Sequence, residues 1–185
     1  LSCTPLSHAG SAMFLPTLMK GGTMLVLPAF DPVAVLQAIQ DHRSNCMLLV
    51  PTMIYALLDH PRFEEFDLSS LETVFYGASA ITPARLREAI ERIGPVFCQF
   101  YGQAEAPMAI TMLRKSEHDV NDMRRLASCG RPSPWVRVEL LDETPTEARE
   151  ILRAYGALVR GEEEGEDLWQ SLKATSKLGV TVGTL

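Results

Sequence analysis

The sequence predicts an α/β fold, a mostly parallel sheet with helices on its faces. Short apolar runs at residues 23–28, 46–50, 72–77 and 96–101 have the length, and mostly the flanking Gly or Pro, of buried strands. Between them lie segments with helical apolar spacing, three of them opened by Asp31-Pro32, Val50-Pro51 and Thr82-Pro83. Strand-like and helix-like segments therefore alternate, which is the pattern of parallel strands joined by helical crossovers.

In chain order, residues 9–20 read as a helix that stops at Gly21-Gly22. Residues 23–28 follow as a strand. Asp31 is placed to cap a helix with Pro32 in its first turn, running to about His42. Residues 46–50 form the next strand, and Pro51 opens a helix through about Asp59. His60-Pro61 begins a polar connection, and residues 67–71 form a turn. Residues 72–77 are a strand with Gly77 at its carboxyl end. The helix from Thr82-Pro83 to about Ile93 places Leu86, Ala89, Ile90 and Ile93 on one face.

The run at residues 96–101 organises the rest. It is apolar and aromatic except at Gln99, so it is expected to be covered on both faces. Gly102 closes it and lets the backbone turn or approach a ligand. Glu105 follows at the carboxyl end of the strand, the edge at which open α/β sheets bind ligands. Residues 114–125 are polar and read as an exposed loop or short helix, residues 128–132 as a turn, and the alternating residues 136–141 as a half-exposed strand. From residue 144 no period is evident, and the acidic cluster at residues 161–167 reads as a solvated face.

Composition bounds the possibilities. The 185 residues suffice for one domain with a core, and 46% hydrophobic with 22% charged residues is ordinary for a soluble protein. A net charge of −6 gives no reason to expect nucleic acid as a partner. It leaves room for a phosphate ligand, because such sites use backbone amides and bound cations. Cys3, Cys46, Cys98 and Cys129 include no C-x-x-C pair and read as reduced thiols of a cytoplasmic protein. No basic and apolar leader opens the chain, and residues 46–58 are too short for a membrane span and broken by Pro51. The opening on Leu1 instead of Met suggests a piece of a longer chain.

Six stretches carry a resemblance when taken in order. They are Pro5-Leu6-Ser7-His8-Ala9-Gly10; Gly21-Gly22-Thr23 with Phe30-Asp31-Pro32; Val50-Pro51-Thr52-Met53; Gly77-Ala78-Ser79-Ala80-Ile81-Thr82; Tyr101-Gly102-Gln103-Ala104-Glu105; and Gly130-Arg131-Pro132 with Asp142. Together they resemble successive motifs of the adenylate-forming acyl-CoA synthetase superfamily. The resemblance covers residues 1–143 and marks them as part of that family's large N-terminal domain. Residues 144–185 carry none of its motifs.

The resemblance implies a two-step ligase. A fatty or aromatic carboxylate attacks the α-phosphate of ATP, and coenzyme A thiol then displaces AMP. An anion must approach an anion, so Mg²⁺ and fixed donors are needed to offset the repulsion. The resemblance assigns the metal to Glu105 and substrate orientation to His8. It assigns the nucleotide to Gly77, Ala78, Ser79, Tyr101, Gly102, Gln103 and Ala104, with adenine against the small residues and Tyr101 stacking on the base or lining its slot.

The sequence departs from the family where Ala104 replaces a threonine, removing a hydroxyl donor to the α-phosphate. Ala78 and Ser79 replace a glycine and a proline. The family's phosphate loop and its downstream ribose and lysine motifs are not found in the sequence, so the chain alone is expected to lack a competent adenylation site. The other reading is a nucleotide- or acyl-binding remnant without catalysis. Met53, Tyr55, Leu57 and Leu58 fit either core or acyl-pocket wall, and His42, His60 and His118 receive no role.

Overall fold

The computed structural model describes residues 1–7, 9–103, 106–136 and 138, without the side chains of Ala9 and residues 106–109. The fold below is that of residues 1–133, which form one unit; a second begins at Pro134. The strand expected at 136–141 falls largely, and the tail from 144 entirely, outside the described residues.

Five strands form one sheet in the order β1 (Cys46–Leu49), β2 (Thr73–Gly77), β3 (Phe97–Gln103), β4 (Ala106–Leu113) and β5 (Arg131–Pro132). The first three run parallel. The last two are antiparallel additions beside β3. The parallel part is the one predicted, and its crossovers are α3 (Pro51–Leu58) and α4 (Pro83–Ile93). The antiparallel part was not foreseen. Residues 106–113 had no assignment, and residues 131–132, read as part of a turn, pair with β4. Only two residues separate β3 from β4, too few for a crossover, so the chain returns antiparallel.

The local signals explain the helices. In α2 (Pro32–His42) the Asp31 carboxylate accepts the Ala34 N–H at 2.8 Å, and Pro32 opens the first turn. The helix ends at Arg43, whose φ of 47° is left-handed. Pro51 and Pro83 open α3 and α4 in the same way, and Gly94 closes α4 at φ 116°. The apolar stripes then meet the sheet. Val35, Leu36 and Ile39 of α2, Ile54, Leu57 and Leu58 of α3, and Leu86, Ala89 and Ile90 of α4 share one core with Met47, Leu49, Val74, Tyr76 and Phe97. Each large side chain buried there contributes about 1.5–3 kcal/mol against its exposed state.

Three other expectations fail for physical reasons. The helix at 9–20 is a 3-10 turn, Ala9–Ser11, followed by α1 (Phe14–Met19). No α1 residue is buried, so its apolar spacing is not matched by a covering face among the described residues. Residues 23–28 form no strand. Val26 makes one parallel bridge to Ser2, with Ser2 N–H to Leu25 O and Leu27 N–H to Ser2 O both at 2.8 Å. Pro5 ends the partner segment too soon for a ladder to extend. β3 does not stop at Gly102 but runs to Gln103, and it is buried only over Phe97, Cys98 and Gln99. Pairing with β4 holds it extended past the glycine, with a register shift between Tyr101 and Gln103.

Residues 114–125, expected as an exposed loop or short helix, hold a 3-10 turn at Lys115–Glu117 and a short α5 (Met123–Leu126). His118, given no role from the sequence, is instead buried.

Candidate functional site

The carboxyl ends of β2 and β3 open on one rim of the sheet. The strands are parallel neighbours, and Gly77 lies across from Phe100. From Gly77 the chain enters a loop, residues 78–82. From Phe100 it continues through Tyr101, Gly102 and Gln103. The two stretches expected to hold a nucleotide thus leave adjacent strands in the same direction.

Gly77 is required by the pairing itself. A Cβ at this position would strike the carbonyl oxygen of Phe100, a backbone atom that cannot move aside. Ala78 follows with φ 67°, the left-handed region where an L side chain costs about 1–2 kcal/mol. This is the position at which the resemblance carries a glycine. Ala78, Ser79 and Ala80 are exposed. Ile81 is buried in the core, and the Thr82 N–H donates to the Tyr55 hydroxyl at 3.0 Å. The loop is therefore held at both ends and offers three small residues between them. A flat ring can lie close to such a backbone, where larger side chains would hold it away.

On β3, Tyr101 pairs with Thr111 and is 46% exposed, so its ring is accessible at the rim. Gly102 is half-buried and Gln103, across from Ala106, is exposed. The structure brings Gly77, Ala78, Ser79, Tyr101, Gly102 and Gln103 to this rim. His8, Ala104 and Glu105 lie outside the described residues.

Two polar groups beneath the rim were missed from the sequence. Gln99 was read only as a polar interruption in an apolar run. It pairs with Tyr76, shares the sheet face of Tyr101 by alternation, and is buried. Its side-chain carbonyl is buried without a hydrogen-bond partner among the described residues, a costly state unless water or another polar group reaches it. The second group is His118. Its Nδ1–H donates to the Arg114 carbonyl at 2.8 Å, which fixes the tautomer. Nε2 then accepts the Tyr76 hydroxyl at 3.0 Å. Burial holds the His118 pKa below its ordinary value and pushes the Tyr76 phenol up. This neutral pair anchors the residue directly before Gly77. Nothing in a polar stretch such as 114–125 signals that one of its histidines turns inward.

Among the described residues no group of three or more His, Cys, Asp or Glu could hold a metal ion. Mg²⁺ does not need such a cluster, since it commonly takes one or two carboxylates with nucleotide phosphates and water. No helix among the described residues is long and apolar enough to cross a membrane.

Comparison with known proteins places the chain in a family. The sequence pattern of a family described as AMP-binding enzyme matches residues 1–161. A medium/long-chain-fatty-acid–CoA ligase of Mycobacterium tuberculosis is 62% identical over 143 residues, 77% of this chain and 24% of that protein. A feruloyl-CoA synthase of an Amycolatopsis species is 38% identical over 142 residues, 76% of this chain and 28% of that protein. In structure, the amide bond synthetase McbA of Marinactinospora thermotolerans matches with a TM-score of 0.70 and 40% identity, over 76% of this chain and 28% of that one. The chain thus spans roughly a quarter of the length of the curated relatives it matches, 24% and 28%.

Proposed function

Starting from a chain that belongs to the AMP-binding enzyme family, we propose that it carries part of the nucleotide and acyl site of an acid–CoA ligase acting on a fatty or aromatic acid. The observation that carries this reading is the rim itself. Gly77, in a position that excludes a Cβ, leads into the exposed small residues 78–80 beside the accessible ring of Tyr101. Adenine would lie against residues 77–79 and stack on Tyr101.

The chemistry follows from charge. The acid's carboxylate attacks the α-phosphate of ATP and pyrophosphate leaves. Coenzyme A thiol then attacks the acyl carbon and AMP leaves. We assign Glu105 to a divalent cation, which when bound with the nucleotide would offset the repulsion between the two anions. His8 is assigned to orient the acid. Ala104 supplies no hydroxyl to the phosphate, so donors there must come from the backbone or elsewhere.

A second reading keeps the first step and changes the nucleophile. Likeness to an amide bond synthetase at 40% identity favours an amine in place of the thiol.

Photolabelling with 8-azido-AMP followed by peptide mapping tests the proposal. The label is expected on peptides containing residues 77–82 or 101–103, and excess AMP should suppress it. Label found only elsewhere, or insensitive to AMP, would refute it.

A further inference from the structure

The geometry points to Tyr55 as a positioning residue for the nucleotide loop, an inference that rests on the reading of residues 77–82 given above. Tyr55 belongs to α3, far from the rim in sequence, and the sequence offered it only as core or pocket wall. Its hydroxyl accepts the Thr82 N–H at 3.0 Å and lies 3.5 Å from the Thr82 hydroxyl. Thr82 is the residue at which the loop passes into α4, and its own side chain makes no capping hydrogen bond. The Tyr55 hydroxyl therefore supplies the partner that fixes this junction.

Tyr55 is itself held. The Arg85 guanidinium lies over its ring, 5.1 Å from the centroid, and donates to the Tyr55 carbonyl at 3.3 Å. Arg85 is in turn paired with Asp59 at 2.6 Å and Glu88 at 2.8 Å. Swinging the ring away would give up the guanidinium contact, and Arg85 is kept beside it by the bond to the Tyr55 carbonyl and by the two ion pairs. At the other end of the loop Gly77 is locked in the sheet and Ala78 is in the left-handed region. A loop with a strained residue at its start relaxes unless its far end is fixed. Tyr55 fixes it, presenting residues 78–80 in one conformation before a base arrives and so removing part of the ordering cost of binding.

Tyr55→Phe keeps the ring and the arginine contact and removes only the hydroxyl. Hydrogen exchange and calorimetry with AMP are measured on the 185-residue chain. Thr82 and residues 78–80 should exchange about fivefold faster, and AMP should bind about threefold to tenfold more weakly, the range one lost hydrogen bond allows. Leu57→Val, on the same helix but in the core, serves as control. It should lower Tm while leaving exchange at 78–82 unchanged. Unaltered exchange at 78–82 in Tyr55→Phe overturns the clamp whether or not nucleotide binds. Faster exchange with unaltered AMP affinity overturns the positioning role. An unsubstituted chain that binds no AMP instead removes the nucleotide reading, and with it the purpose assigned to the clamp.

Discussion

Gly77 and Phe100 face each other across β2 and β3 so closely that a Cβ on residue 77 would meet the Phe100 carbonyl oxygen. The clash is with backbone inside a parallel ladder, so neither partner can rotate away. Gly77→Ala is expected to destabilise residues 1–133 by about 1–3 kcal/mol, as overpacking does. A urea titration should show the lowered midpoint, and an unchanged midpoint would mean that the strands separate freely at this point.

Ala78 offers the opposite experiment. Its φ of 67° costs about 1–2 kcal/mol for a residue with a Cβ. Glycine removes that cost but gives back about 0.4–1 kcal/mol in unfolded-chain entropy. Ala78→Gly should therefore raise stability by about 0.5–1 kcal/mol, a gain of a few degrees in Tm at most. A lower Tm by calorimetry would contradict the strained loop.

The fold was legible where the sequence carries direct signals. Asp31-Pro32, Pro51, Pro83 and Gly94 mark helix ends by their own chemistry, and the helices run within a residue or two of expectation. What failed depended on partners distant in sequence. The apolar run at 23–28 could not reveal that its neighbour ends at Pro5, leaving one bridge to Ser2. Gly102 looked like a strand end because β4, which holds it extended, was not recognised. In the site, the small residues 77–80 could be read as a loop at a strand end. The hydrogen bonds of Tyr55 to Thr82 and His118 to Tyr76 could not, since they join residues 27 and 42 apart.

The His118–Tyr76 pair gives a pH dependence of definite sign. Burial lowers the folded-state pKa of His118, so the unfolded chain binds the proton more readily. The contribution is complete above the unfolded value of about 6.5 and is lost as pH falls from there through the folded value. The urea midpoint should decline from pH 7 to pH 5, and His118→Gln should flatten this decline. An equal slope in both proteins would show that the histidine titrates alike in the folded and the unfolded chain.

Arg92 tests whether the α3–α4 side of the core relies on a planar cation. Its guanidinium sits 4.2 Å from the centre of the Phe63 ring, donates to the Leu58 carbonyl at 2.8 Å, and pairs with Glu64 and Glu88. Lysine keeps the charge but not the flat face or the forked donors. Arg92→Lys should cost about 1–2 kcal/mol by thermal unfolding. A neutral result would reduce these contacts to exposed ion pairs of little weight.

Thiol reactivity should follow burial. Cys129 is exposed, whereas burial pushes the Cys3 thiol up to about 11 and raises those of Cys46 and Cys98. With a colorimetric disulfide reagent, Cys129 should react first in the native chain, and Cys3 only on denaturation. Early labelling of Cys3 by mass spectrometry would show that its segment opens readily.

Everything proposed for the site rests on the rim formed by β2 and β3 receiving a nucleotide. Backbone amide NMR during titration with AMP addresses it most directly. Saturable shifts are expected, concentrated at Gly77 through Thr82 and Tyr101 through Gln103. Shifts absent at saturating AMP, or confined to residues away from that rim, would contradict it.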